Sequence, residues 1–186
     1  MAKISDRYSH LQITLHWLMA LMILGGLAMG LYLEDLPLSP LKLKLLSWHK
    51  WNGISVLLLF FLRLAVRHIS GAPALPASMP SWQQLAAIWG HRLLYLLMLL
   101  IPLSGWLMSS AKGFSVVYFG ILPLPDLVAK DADLADLFNV VHALLNQFLL
   151  LILAGHVGAA LKHHYFERDD ILSRMLPFLK PRDRSL

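Results

Sequence analysis

The 186-residue chain is predicted to be an all-α integral membrane protein, built as a four-transmembrane-helix bundle. Three observations predict this class. Hydrophobic residues make up 58% of the chain and charged residues only 15%, with mean hydropathy +0.62, more apolar than ordinary soluble domains. Four segments are each long enough to cross a bilayer core, which takes about 20 helical residues. Lys and Arg are divided unequally between the two sets of connecting segments. The length fits one domain, 1–186.

The first span runs near Leu11–Leu33. Lys3 and Arg7 ahead of it give it the look of a signal peptide. Its apolar stretch is long, however, and Glu34-Asp35-Leu36-Pro37 follows instead of a small-residue cleavage site, so it is read as a retained helix. Pro37 and Pro40 mark the turn. The second span, near Leu45–Val66, opens with Ser47-Trp48-His49-Lys50-Trp51-Asn52 and has a short uninterrupted apolar core, Val56–Leu62. A Gly/Pro/Ser-rich linker follows from Ser70 to Ser81. The third span runs near Leu85–Met108, where Pro102 is expected to introduce a kink. The fourth runs near Leu137–Leu161, and no internal repeat is present.

Four spans put both termini and the second-to-third linker on one side. That side carries eleven of the sixteen basic residues: Lys3, Arg7, Arg63, Arg67, Arg92, Lys162, Arg168, Arg174, Lys180, Arg182 and Arg184. The other side carries five: Lys42, Lys44, Lys50, Lys112 and Lys130. The positive-inside rule therefore places both termini in the cytoplasm. The net charge of +5 is accounted for by this topology. A polar basic stripe with interleaved aromatics is lacking, so nucleic acid is not an expected partner. The absence of cysteine excludes disulfides, thiolate-held iron–sulfur clusters, thiolate-ligated haem and covalent c-type haem.

Ionisable residues inside membrane spans are expensive and point to function. His142 and His156 lie fourteen residues apart in the fourth span. That is about 21 Å along a helix and nearly four whole turns, so both side chains fall on one face. By depth, His49 matches His142 at the outer level, and His16 matches His156 at the inner level. Facing side chains of a four-helix bundle build cofactor sites in this way, and the pattern predicts two non-covalent bis-histidine haems. His91 lies at the inner level too, which leaves three candidates there for two positions. His10 and His68 read as interfacial. His163 and His164 fit either membrane-surface residues or contacts to a quinone head group. Gly25, Gly26, Gly30, Gly53, Gly155 and Gly158 suit close helix packing or a flat macrocycle.

Arg7-Tyr8-Ser9, Leu15-His16-Trp17, His49 before Gly53, His142, His156 and His163-His164-Tyr165-Phe166 together resemble the bacterial cytochrome b561 family, over Arg7 to Pro177. The resemblance implies a bacterial cytoplasmic-membrane protein with two b-type haems. It assigns the axial ligands to His16, His49, His142 and His156, and matches His91 to a histidine that is not a ligand. Trp51 departs from the family pattern and suggests altered access near the outer haem. Some small four-helix members oxidise periplasmic superoxide and reduce ubiquinone. For those reactions Lys50 and Lys112 are candidates for superoxide approach, while Arg7, His163 and His164 are candidates for quinone contact. Arg63 and Arg67 are candidates for pairing with haem propionates. Asp126, Asp131, Asp133 and Asp136 oppose anion steering unless they lie off the path. Membrane lipid, superoxide and ubiquinone are the expected partners, and a protein partner is not required. The alternative is a haem-bearing membrane anchor that relays electrons between a dehydrogenase or hydrogenase and quinone.

Overall fold

A computed structural model describes residues 7–76 and 78–179. Its four long helices are α1, His10–Asp35; α2, Pro40–Ser70; α3, Ser81–Ala111; and α4, Ala132–Lys162. All four are long and apolar enough to cross a membrane. Their outward faces carry large apolar side chains open to the surroundings, such as Leu21 at 68% and Leu151 at 67% exposure. Lipid is the solvent that suits such faces.

Capping chemistry sets the ends. Ser9 and Gln12 form a reciprocal capping box at the start of α1. Helix α2 begins five residues before the predicted Leu45 because Pro40 occupies its first position, where the missing N–H costs nothing. Ser39 caps it by accepting from the Lys42 N–H at 3.2 Å. Pro40 therefore starts a helix and does not belong to the turn. At the other end Gly71, at φ 71°, takes the positive-φ conformation and closes α2 past the predicted Val66. Helix α3 continues unbroken past the buried Pro102. Asp131 caps α4 from its side chain, with Asp133 in the first turn, so α4 starts ahead of the predicted Leu137. It ends in a wide π-turn, His163–Glu167.

The connection between α3 and α4 folds into a hairpin that hydropathy does not reveal. Strand β1, Val117–Tyr118, pairs antiparallel with β2, Leu122–Pro123, in the register Val117↔Pro123 and Tyr118↔Leu122.

Close backbone packing follows chain order, α1 on α2, α2 on α3 and α3 on α4. A core of Met19, Val56 and Phe60, with Met22, Tyr95 and Met98 around it, joins the first three helices. The end expected on the cytoplasmic side, called inner below, holds the start of α1 and the end of α4. There Gln12 donates to the Gly71 carbonyl at 2.7 Å, and the Trp17 indole donates to the Met175 carbonyl at 2.8 Å. At the outer end, the Trp51 indole donates to the Val117 carbonyl at 2.7 Å and Ser55 bonds the Tyr118 hydroxyl at 2.8 Å, so α2 carries the hairpin.

Helices α1 and α2 meet at Gly26, where Asn52 donates to the Met22 carbonyl at 3.0 Å. A β-carbon on Gly26 would lie 2.7 Å from the Asn52 amide nitrogen. Gly26→Ala is therefore expected to destabilise the bundle by about 1–3 kcal/mol. Asn52→Ala in the same chain should recover most of that loss, read as a double-mutant cycle in reversible detergent unfolding. Purely additive effects would contradict this packing.

Candidate functional site

The four level-matched histidines come together as two facing pairs. At the outer level the ring centres of His49 on α2 and His142 on α4 are 6.3 Å apart, at an interplanar angle of 81°. At the inner level those of His16 on α1 and His156 on α4 are 6.2 Å apart, at 50°. Neither α1 and α4 nor α2 and α4 are closely packed backbone pairs. Each pair of rings thus faces across an interval where the helices stay apart.

That spacing has a chemical meaning. An imidazole–metal bond of roughly 2 Å, with the ring centre about 1.1 Å behind the nitrogen, would put the centres of two opposed ligands about 6.2 Å apart. Both pairs fit. His91 faces His156 at 5.3 Å, too close to admit a metal between the rings, and its Nδ1 lies 2.6 Å from the Ala87 carbonyl of its own helix.

The surroundings of the rings differ between the levels. His142 Nδ1 lies 3.0 Å from the Ile101 carbonyl and 3.0 Å from Ser104 Oγ. Donation from Nδ1 to that carbonyl leaves the Nε2 lone pair free, the arrangement that orients metal-binding histidines. Gly105 lets α3 pass close behind the ring, since a β-carbon there would sit 3.1 Å from His142 Cε1. Gly30 lies behind His49 in a looser contact of 3.5 Å. His49 Nδ1 is buried without a hydrogen-bond partner. At the inner level Arg63 Nη2 donates to His16 Nδ1 at 3.1 Å, and its Nε donates to the Tyr95 hydroxyl at 3.3 Å. Ser104, Gly105 and Tyr95 were not singled out from sequence. The Ser104-Gly105 step two residues beyond Pro102 is the one local signal that marks the first two.

Paired histidine donors at this spacing suit a flat iron macrocycle, although at the inner level Arg63 would first have to leave His16 Nδ1. A sequence model of prokaryotic cytochrome b561 matches residues 7–178. The chain belongs to the prokaryotic cytochrome b561 family. As a cytochrome b561 it is a bacterial membrane protein that binds b-type haem and works as an electron-transfer oxidoreductase. It is 34% identical over 172 residues to cytochrome b561 homolog 2 of Escherichia coli K12, covering 92% of each chain. Homolog 1 of the same organism is 33% identical over 175 residues, 92% of this cytochrome b561 and 98% of the relative. A Yersinia pestis protein named "Probable superoxide oxidase CybB" is 30% identical over 172 residues, 92% of this chain and 96% of the relative.

The remaining candidates fall at the two ends. Lys50 donates to the Phe114 carbonyl at 2.9 Å, which ties its ammonium to the outer loop. Lys112 and Asp126 both act on it electrostatically, so an acid sits within the basic outer group. Lys112 is exposed. Arg67 lines a shallow groove at the inner end of α2 with Leu64, His68, Gly71 and Ala72. Arg7 is exposed just ahead of the Ser9 cap. His163 is buried and held by acids: its Nδ1 is 2.6 Å from Glu167 Oε2 and 2.6 Å from Asp169 Oδ2. His164 is half-buried, and its Nδ1 has no partner.

The tightest of these constraints gives a prediction. Gly105→Val should push the His142 ring out of position and lower the haem bound per protein, measured as pyridine haemochrome. An unchanged haem content and an unchanged reduced spectrum would contradict the packing of α3 behind that ring.

Proposed function

We propose that this cytochrome b561 is a single membrane domain over residues 1–186 that oxidises superoxide at the outer end and reduces ubiquinone at the inner end. The observation that carries the reading is the pair of ring separations, 6.3 Å and 6.2 Å, at two levels of one bundle. His49 and His142 would hold the outer haem, and His16 and His156 the inner one. When bound, the two haems would supply one-electron transfer along the bundle. In this reading the domain lies in the inner membrane with both termini cytoplasmic, as the charge bias favours.

Two superoxide ions give up one electron each and leave as dioxygen; one quinone takes up two electrons and two protons. Superoxide is an anion, and a cationic rim raises its encounter rate in a salt-dependent way. Lys50 and Lys112 supply that charge in part. Asp126 beside Lys50 reduces it, so steering here is weaker than an all-basic rim would give. At the inner end Arg7, His163 and His164 are the polar groups offered to a quinone head group. Arg63 has only donors. A metal on His16 Nε2 requires the proton on Nδ1, so the guanidinium would exchange that ring for another acceptor, and haem propionates are the acceptors that fit. Arg67, one turn further along α2, is the second candidate for them. The relative named as a superoxide oxidase supports the choice of donor.

Three substitutions test the assignment. His142→Ala should leave one haem per protein, and His91→Ala should leave two. Arg63→Gln should weaken retention of the inner haem while His49 and His142 keep theirs. On the functional side, superoxide should reduce the oxidised haems, and ubiquinone should reoxidise them anaerobically. Haems reduced by superoxide but inert to quinone would overturn the reading. Co-purification with a catalytic subunit, and electron entry only through it, would favour the membrane-anchor alternative.

A further inference from the structure

One polar side chain in the middle of α4 has no use within a single copy of the chain. Gln147 stands between the two ring levels at His142 and His156, in the apolar part of the helix. It is exposed and makes no hydrogen bond among the described residues. Its neighbour Asn146, by contrast, donates to the His142 carbonyl at 2.7 Å. At about 100° per residue, Gln147 sits about 140° round the helix from His142 and about 180° from His156. A group held by those two rings therefore leaves it uncovered. The amide faces hydrocarbon, where an unmet polar group is costly and polar residues ordinarily turn to the bundle interior.

The residues around Gln147 make a seam on the same outward face. Val140, Ala143, Leu151, Ala154 and Gly158 flank it at intervals of three and four residues, and all are exposed. A β-carbon on Gly158 would meet nothing within 4 Å, so the bare backbone there serves no contact inside the chain. Small residues at such positions let a second transmembrane helix approach closely, and a glutamine among them bonds across the contact. Val140, Gln147 and Ala154 repeat every seven residues, the period that holds one stripe against a partner helix.

The amide chemistry identifies the partner. A carboxamide carries two N–H donors and one acceptor oxygen. Acyl chains answer neither, and a quinone carbonyl answers only the donors. A second Gln147 answers both. Two copies inserted with the same topology run their α4 helices parallel, so a twofold axis along the membrane normal sets each residue of the seam opposite itself.

We propose that two copies of the chain pair in the membrane through the outward face of α4, with the two Gln147 amides donating to each other across the twofold axis. A polar residue at one seam position fixes the register of such a pair. The ring pairs lie on the opposite side of each α4, so each copy keeps its own sites entire.

The chain has no cysteine, so one introduced thiol reports one position. In native membranes carrying the full-length holoprotein, Gln147→Cys should cross-link on mild oxidation to a species of twice the monomer mass. Phe148→Cys, at the same depth but about 100° round the helix, should stay monomeric. Pairing strength is read by energy transfer between fluorophores on an added C-terminal cysteine, with the holoprotein diluted into liposomes over a range of protein-to-lipid ratios. Gln147→Leu keeps the bulk and should weaken pairing roughly three- to twentyfold, the range for one interhelical hydrogen bond. Gly158→Leu, whose side chain has open space within one copy, should abolish pairing with haem content unchanged. If Gly158→Leu loses haem, Gln147→Leu decides. Energy transfer no greater than chance at every lipid ratio overturns the proposal, and leaves the seam to lipid. Equal cross-linking of both thiols, or pairing that Gln147→Leu leaves at full strength, overturns it as well. So does a Gln147→Cys cross-link found only at another mass, which would mean a different protein on this face.

Discussion

Everything at the centre of this bundle depends on keeping two pairs of imidazole rings a little over 6 Å apart inside a hydrocarbon solvent. Left to themselves, buried polar rings would close on each other or on backbone carbonyls. They are held open because α4 carries one ring of each pair while its close backbone packing is with α3 alone among the long helices. Helices α1 and α2 pack on each other and on α3 through the Met19, Val56 and Phe60 core, and present His16 and His49 across the interval. The ring pairs are spaced as two ligands of one metal would be, and b-type haem is the group this family binds.

The two ends of the bundle are closed by different means. At the outer end an independent hairpin sits on α2 through Trp51 and Ser55, and Lys50 is bound to the same loop. Trp51 is therefore a strut for the outer loop. At the inner end the tail after α4 returns over the bundle. It reaches α1 through Trp17 and Met175, and the α2–α3 linker through Arg174 and the Ala74 carbonyl at 2.6 Å. The outer closure brings basic and acidic groups together. The inner closure buries a histidine between two acids.

Helix number, helix type and histidine depth could be read from sequence because all three follow from periodicity and apolar length, which are local. Helix ends could be read less well, because they are decided by single capping residues: Pro40 starts α2 and Asp131 starts α4, each several residues ahead of where hydropathy rises. The hairpin at Val117–Pro123 was hidden because strands of two residues carry no periodic signal. At the site, spacing alone left His91 level with His16 and His156. Only a distance separates them, 5.3 Å against 6.2 Å. The Arg63 contact with His16 could not be read, since two helices must be docked before it exists. His163 could be recognised as a candidate, but its acids could not, because the π-turn and the left-handed Arg168 that bring them together have no sequence signature.

The central claim is that each ring pair holds one iron with both axial positions filled by imidazole. Electron paramagnetic resonance of the oxidised holoprotein, integrated against protein concentration, tests it most directly. The account predicts two low-spin ferric haems per chain, distinguishable by their different ring angles, and no high-spin signal. A single low-spin haem per chain, or a substantial high-spin ferric signal from an iron with an open axial position, would contradict it.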